Sequence, residues 1–401
     1  MSDTQKNKKP NVPNLRFPGF EGEWEQHFLS EYLEFKNGLN PSAKSFGDGI
    51  KFISVMDILN NPFITYDCIR TSVNATKREK QEFSVGYGDI LFQRSSETLE
   101  DVGHANVYLD SRAAVFGGFT IRGKKKGEYN PLFFKHLLDS PTVRKRVIVK
   151  GAGAQHFNIG QEGLSKVALS LPSIQEQNRI AELLNLLDQR IAIQNRVIED
   201  LKKLKAAIED KCFNQFKGES VHLADVLNER SEKSEIKNQY EVLSSTVSGI
   251  YSQRDYFNKD IASTDNTGYK VIRRGDVVLS PQNLWMGNIN YNDKFDVGIV
   301  SPSYKVFSIR PMFDIRFVAS LLKSKKALWE YTLVSEQGAS IVRRNLSMDG
   351  FMEITFPIPD KEVQKKIGDV ISAVNHRIEI ENSILKSMNR QKRFFLNHLF
   401  I

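Results

Sequence analysis

Two stretches of this chain carry side chains able to pair with the edges of nucleic-acid bases. Phe92-Gln93-Arg94-Ser95-Ser96-Glu97 follows Gly88-Asp89-Ile90-Leu91, and Leu279-Ser280-Pro281-Gln282-Asn283-Leu284-Trp285 follows Gly275-Asp276-Val277-Val278. Amide, hydroxyl and guanidinium groups match the donor and acceptor pattern of a major groove. That makes Gln93, Arg94, Ser95, Ser96, Ser280, Gln282, Asn283 and Trp285 candidate contacts, although a solvated loop uses the same residue types. A second pair of stretches, Gly151-Ala152-Gly153-Ala154-Gln155-His156-Phe157-Asn158 and Gly338-Ala339-Ser340-Ile341-Val342-Arg343-Arg344-Asn345, opens with small residues. Small residues let backbone approach another surface closely. Gln155, His156, Arg343 and Arg344 are the contacts they would offer. Lys124-Lys125-Lys126, Arg144-Lys145-Arg146 and Lys323 to Lys326 are basic clusters, to be read as phosphate contacts or as solvated faces.

The motifs of catalysis are missing. Asn130-Pro131-Leu132-Phe133 lacks the second proline of an adenine methyltransferase motif and reads as a turn and helix start. Phe46-Gly47-Asp48-Gly49 follows no convincing strand, so a cofactor loop is not expected there, and no phosphate-binding GxxxxGK[ST] occurs. Glu209-Asp210-Lys211 and Glu235-Ile236-Lys237 match the tail of a nuclease pattern, but Pro359-Asp360 comes after both, so the order of metal ligands fails. The 7 histidines are scattered, and Cys68 and Cys212 stand far apart, which leaves neither a metal site nor a disulfide framework. The polar, lysine-rich start does not resemble a signal peptide, and no apolar run is long enough for a bilayer, so the expected location is the cytoplasm. The net charge of +8 suits an acidic partner. These features favour a binding protein over an enzyme.

The chain repeats itself once. Gly88-Asp89 recurs as Gly275-Asp276, Gly151-Ala152 as Gly338-Ala339, Asn158 as Asn345, Gln177-x-x-Ile180 as Gln364-x-x-Ile367, and Phe213 as Phe400, all at one offset (275 − 88 = 187; 400 − 213 = 187). Between these points small insertions and deletions compensate: Phe133 aligns with Phe317 at an offset of 184 (317 − 133). The last forty or so residues of each half are alike in pattern, and the earlier parts are unlike in detail. Each half is therefore a variable module followed by a constant helix.

The helices open after Pro172 and Pro359, with Ser173 and Asp360 as N-caps. The first carries a seam stepping by four and three: Ile180, Leu184, Leu187, Ile191, Gln194, Ile198 and Leu201. Its repeat reads Ile367, Ile371, Val374, Ile378, Glu381, Leu385 and Met388. The seams continue through Lys205 and Lys392, so their polar interruptions coincide. Two matching heptad seams favour an internal antiparallel pair, with a polar seam residue fixing register; exposed seam ends are the alternative. About forty residues at roughly 1.5 Å each make a rod of roughly 60 Å, long enough to separate two domains. The predicted fold class is α+β: two mixed α/β modules separated by two long antiparallel coiled-coil helices, related by an internal pseudo-twofold repeat. The expected division is a disordered tail (1–13), module one (14–171), helix one (172–217), module two (218–357) and helix two (358–401).

This order of motifs resembles the specificity subunits of type I restriction–modification systems. The resemblance covers nearly the whole chain. It rests on the two Gly-Asp strands, the paired Gly-Ala stretches leading to Asn158 and Asn345, the run Leu171-Pro172-Ser173-Ile174-Gln175-Glu176-Gln177-Asn178-Arg179-Ile180, and the opening Leu15-Arg16-Phe17-Pro18-Gly19-Phe20-Glu21-Gly22-Glu23-Trp24. The second helix departs from it, reading Pro359-Asp360-Lys361-Glu362-Val363-Gln364. The resemblance implies two target-recognition domains, each reading half of a split, asymmetric double-stranded DNA site. It also implies two adenine-modification subunits using S-adenosylmethionine, and restriction subunits using ATP and Mg, with this chain binding no cofactor and no metal itself. A coiled-coil adaptor without DNA specificity, or a stand-alone methyltransferase or nuclease, is the competing expectation.

Overall fold

The computed structural model describes residues 10–153, 155–214, 218–257, 265–337 and 344–401. The chain packs as two compact units, one of Met1–Asn195 with Ile384–Ile401, the other of Arg196–Ser383. The border between the units falls within both long helices. The reason is apolar burial. Ile180, Ala181 and Leu184 near the start of helix one share a core with Leu399 and Phe400 from the chain's end. Phe213 near the end of helix one shares another with Ile371 near the start of helix two.

In the first unit an antiparallel sheet runs in the order Leu33–Asn37, Thr120–Lys125, Ile90–Gln93, Ala105–Val107. Every residue of Ile90–Gln93 is buried. Alternation sorts its side chains: Ile90 and Phe92 enter the core under the helices, and Leu91 enters a second core with Ile53, Val85 and Phe116. Those last residues belong to a second sheet, ordered Ser72–Val73, Phe46–Ile53, Ala114–Phe116, Ser84–Val85. Two short helices follow. Asn130 Oδ1 accepts from Phe133 N at 3.0 Å to cap Pro131–Asp139, and Ser140 caps Pro141–Ile148. Glu25–Phe28 pairs with Ala168–Leu171, the strand that leads into helix one.

The second unit repeats this frame: Leu227–Arg230, Lys305–Ile309, Asp276–Leu279, Ile289–Tyr291 in one sheet, and Glu219–His222 pairing with Thr355–Ile358. Asp314 caps Ile315–Leu322 and Ser324 caps Lys325–Leu333. What differs lies around the frame, where a hairpin Leu243–Thr246/Gly249–Ser252 and the pair Lys270–Arg273/Val297–Val300 enclose a small core with Val278.

Helix one spans Ile174–Asn214 and helix two Lys361–His398, and the Ser173 and Asp360 side chains accept from Glu176 N and Val363 N. Ile180, Leu184, Leu187, Gln194, Ile198, Ile371 and Glu381 are buried; Ile191, Leu201, Ile367, Val374, Ile378, Leu385 and Met388 are half-buried. The polar seam residues are thus enclosed, not exposed ends. Within the first unit the helix segments run antiparallel, since Lys392 Nζ meets Asp188 at 2.6 Å while Leu399 and Phe400 reach back to Ile180 and Leu184.

The strand Phe46–Ile53 ends where Ser54 N and Oγ both donate to Asp57 and start a helix at Val55–Asn60. Phe119 sits in the turn before Thr120–Lys125. The expected tail is ordered at its inner end: Trp24 N donates to Asn11 O and Asn11 Nδ2 to Trp24 O, and Pro13 is buried; residues 1–9 lie outside the described residues.

Candidate nucleic-acid interface

In both units the Gly-Asp pair sets the strand that leads to the candidate contacts. Gly88 and Gly275 have φ of +88° and +97°, the left-handed region where glycine is favoured. Asp89 is buried and accepts from Gly86 N and Lys125 N, both at 2.9 Å. Asp276 is buried, accepts from Arg273 N at 2.7 Å and pairs with Arg230 Nη1 at 3.0 Å. Burial pushes both carboxyls above the usual range, against the pull of those donors. The motif is a turn, as its residue types suggest, with a buried carboxylate tying neighbouring strands that the types alone do not reveal.

In module one the two sequence-matched stretches meet. Ser95–Ser96 pairs with Phe157–Asn158, and Ser95 Oγ donates to Asn158 Oδ1 at 2.5 Å. Ile159 N donates to Arg94 O at 3.0 Å, and Arg94 N to Phe119 O at 2.9 Å. Arg94, Ser95 and Ser96 are half-buried; Gln155, His156 and Asn158 are exposed. Phe119 is 72% exposed at the adjacent turn. Gln93 does not belong with the base-reading candidates. It is 6% exposed, and its Nε2 donates to Ser95 O at 2.9 Å, so it shapes the loop from beneath.

Module two brings the equivalent places together by another route. The candidate stretch forms a 3-10 helix, Pro281–Met286, and Ser335–Gln337 pairs with Arg344–Leu346. The Arg344 guanidinium lies over the Trp285 ring at 4.2 Å. Gln282 is exposed; Ser280, Asn283 and Trp285 are half-buried, and Asn283 Oδ1 is enclosed without a hydrogen-bond partner. Arg343 lies outside the described residues, with Gly338 and Ala339.

The basic clusters divide between the far end of the module-one sheet and bonds within their own unit, where Lys323 meets Gly287 at the end of the 3-10 helix. Thr120 pairs with Gln93 and Gly123 with Ile90, which puts Lys124, Lys125 and Lys126 at the Asp89 end of the sheet, away from Arg94 to Ser96. Arg144 Nη2 donates to Glu100 O and Val102 O, and Arg146 Nη1 to Ala168 O. Lys323 Nζ donates to Val247 O, Gly287 O and Asn290 Oδ1 at 2.9–3.0 Å, and burial of the ammonium brings it down to about 8. Lys326 Nζ donates to Phe213 O. These four side chains fasten backbone inside their own unit. Lys145 and Lys325 are exposed.

Sequence reasoning missed two positions, Phe119 and the Asn290–Ser245–Asn288 network. Ser245 Oγ donates to Asn288 Oδ1 and Asn290 Nδ2 to Ser245 Oγ, which joins the hairpin Leu243–Ser252 to the strand behind the 3-10 helix. The Gly117-Gly118 pair before Phe119 is the signal that marks an aromatic at a turn tip. The asparagines alternating at 288, 290 and 292 give no comparable sign of their partners.

Comparison with known proteins fits this duplicated frame. A family model described as the type I restriction modification DNA specificity domain matches residues 21–203 and again 218–390. The putative type I restriction enzyme MjaX specificity subunit of Methanocaldococcus jannaschii is 23% identical over 436 residues, spanning 98% of this chain and 96% of that one. The MjaVIII specificity subunit of the same organism is 21% identical, spanning 98% and 95%. The crystal structure of a type I restriction–modification S subunit from M. genitalium shares the fold, with a TM-score of 0.61 at 15% identity over 97% of this chain and 99% of that one. A chain from a structural study of complex assembly and conformational transition in the type I system reaches 0.52 at 14% identity, over 96% and 98%. With its family model matched in each half, this chain belongs to the type I restriction–modification DNA specificity family and is a DNA target-recognition subunit.

Proposed function

We propose that each module reads one half of a bipartite, asymmetric DNA site and that the two long helices set the unread gap between the halves. The carrying observation is one scaffold built twice, with the same sheet order and helices capped at equivalent places, ending in unlike surfaces: Arg94, Ser95, Ser96, Phe119, Gln155, His156 and Asn158 in module one, Gln282, Trp285 and Arg344 in module two. Unlike readers on a like frame predict unlike half-sites. Readers docked in the major groove on one face of DNA fall about one helical turn apart, or a multiple of it.

In this reading the chain carries no catalytic group. The outer helix faces, with Arg196, Lys202, Lys203, Asn389 and Arg390, dock two modification subunits that methylate adenine with S-adenosylmethionine. Restriction subunits add ATP- and Mg-dependent cleavage, and the complex works in the cytoplasm.

The test is adenine methylation mapped genome-wide in cells carrying a matching modification subunit, with the chain, without it, and with one turn removed from both helices. A split motif should appear only with the chain. The shortened helices should shift or abolish the gap while each half-site stays preferred. Methylation at an unchanged gap would end the ruler proposal, and no new motif despite co-purification with the partner would end the specificity role.

A further inference from the structure

The structure holds a cavity of about 630 Å³ in module one, at the end of the sheet away from Arg94 to Ser96. That volume falls in the range of small-ligand sites, roughly 300–1,000 Å³. Its wall is cationic. Arg122 lines it at 7% exposure, fixed by Nη1 donating to Ser84 O and by lying over the Phe116 ring. Lys124 and Lys126, both exposed, lie on the same wall.

The acids nearby are already engaged. Asp89 spends its two oxygens on Gly86 N and Lys125 N, and Glu82 is paired with Lys36 Nζ at 3.0 Å. Lys125 Nζ donates to Tyr129 O. What remains to be matched is an anion with several acceptor oxygens. Tyr87 also lines the cavity and is 62% exposed, and it offers a flat face beside the cations.

We infer that this cavity is a binding site for a nucleoside polyphosphate, with its phosphates on Arg122, Lys124 and Lys126 and its base on the Tyr87 ring. Guanidinium and ammonium groups supply the charge-assisted hydrogen bonds that phosphate oxygens take. One feature favours a small ligand over duplex DNA: the cavity's position at the far end of the sheet from the base-reading candidates. The site stands independently of the split-site proposal. Position 122 corresponds through the sheet register to Val306 in module two, since Arg122 pairs with Leu91 and Val306 with Val278, so the site belongs to module one alone.

Calorimetric titration of the full chain with pyrophosphate and with metal-free ATP tests this. Both should bind. Lys124→Gln with Lys126→Gln should weaken both at least about tenfold, the effect of losing two charge-assisted contacts. Tyr87→Ala should weaken ATP by roughly fivefold or more, as loss of a stacked base does, and leave pyrophosphate unchanged. Circular dichroism and melting would confirm that the variants fold. No binding by the folded wild-type chain at millimolar ligand, equal binding by the lysine variant, or displacement of ATP by a non-cognate duplex would each overturn the inference.

Discussion

Replacing Gln177 with leucine should loosen module one from its helix and leave module two untouched. Gln177 is 4% exposed, its Oε1 accepts from Asn130 N at 3.1 Å, and its Nε2 donates to Pro172 O at 3.1 Å. It therefore joins three things: the residue before the helix's N-cap, the helix's first turn, and the cap of Pro131–Asp139. Gln364 does the same in module two, accepting from Asp314 N at 2.9 Å and donating to Pro359 O at 2.8 Å. Leucine is apolar, ends one atom short of the amide's oxygen and nitrogen, and makes neither bond. Two lost hydrogen bonds at about 1 kcal/mol each, with the extra cost of enclosed groups left unpaired, come to roughly 2–4 kcal/mol. Native-state hydrogen exchange reads this locally. Gln177→Leu should lower the opening free energy of module-one amides by that amount, Gln364→Leu should do so for module two, and the double variant should add to within about 0.5 kcal/mol. If either single change lowered protection in both modules equally, or in neither, the two clamps would not be independent hinges between reader and rod.

Two other predictions concern charge and base reading. His136 is 1% exposed with neither ring nitrogen hydrogen-bonded, and burial, then Lys135 and Lys392, hold its pKa well below the ordinary histidine value. The unfolded chain takes up that proton near pH 6.5 while the folded one refuses it, so stability should fall as pH drops below about 6.5, by up to ~1.4 kcal/mol per pH unit. Urea unfolding at pH 7.5 and 5.5 should show this loss in the wild type and a smaller one in His136→Gln; equal losses would refute it. The equivalent of His136 in module two is Ser320 (136 + 184 = 320), so the loss should be confined to the first unit. Trp285→Ala removes the ring beneath Arg344, an interaction of about 0.5–2 kcal/mol, and should weaken DNA binding roughly 2- to 30-fold. Methylation mapping should find one half-site relaxed and the other unchanged, and relaxation of both would refute the assignment of Trp285 to a single half.

The frame was legible because it repeats. Residues held at one offset, such as Gly88 and Gly275, Gln177 and Gln364, or Phe213 and Phe400, are the ones the fold consumes, in a left-handed turn, a clamp and a core. The helix seams were legible from periodicity, since burial follows the four-three step even at Gln194 and Glu381. Side-chain direction was not legible. Arg144, Arg146, Lys323 and Lys326 read as a cationic surface, yet each reaches a carbonyl of its own unit, because a long basic side chain can satisfy backbone that no strand or helix partner reaches. Gln93 failed for a related reason. Its place at the end of a fully buried strand decided its exposure, and residue type carries no record of that.

The division between consumed and unconsumed residues explains how one scaffold can carry unlike readers. Asp89 and Asp276 fix the start of equivalent strands through backbone N–H groups, contacts that do not depend on the side chains of the loops beyond. Past the strand the two modules solve the same problem differently, one with a two-residue strand pair closed by Ser95 and Asn158, the other with a 3-10 helix roofed by Arg344. Each solution adds little to the main core of its unit: Phe157 packs against one and Leu284 is buried in the other, whereas the large buried rings, Phe92, Phe133 and Phe134 in one and Phe307, Phe317 and Phe351 in the other, belong to the frame. Changing a reader therefore costs little of the apolar burial that stabilises a module. The clamps at Gln177 and Gln364 lie on the constant side of that division, so a new reading surface would inherit the same attachment to its helix.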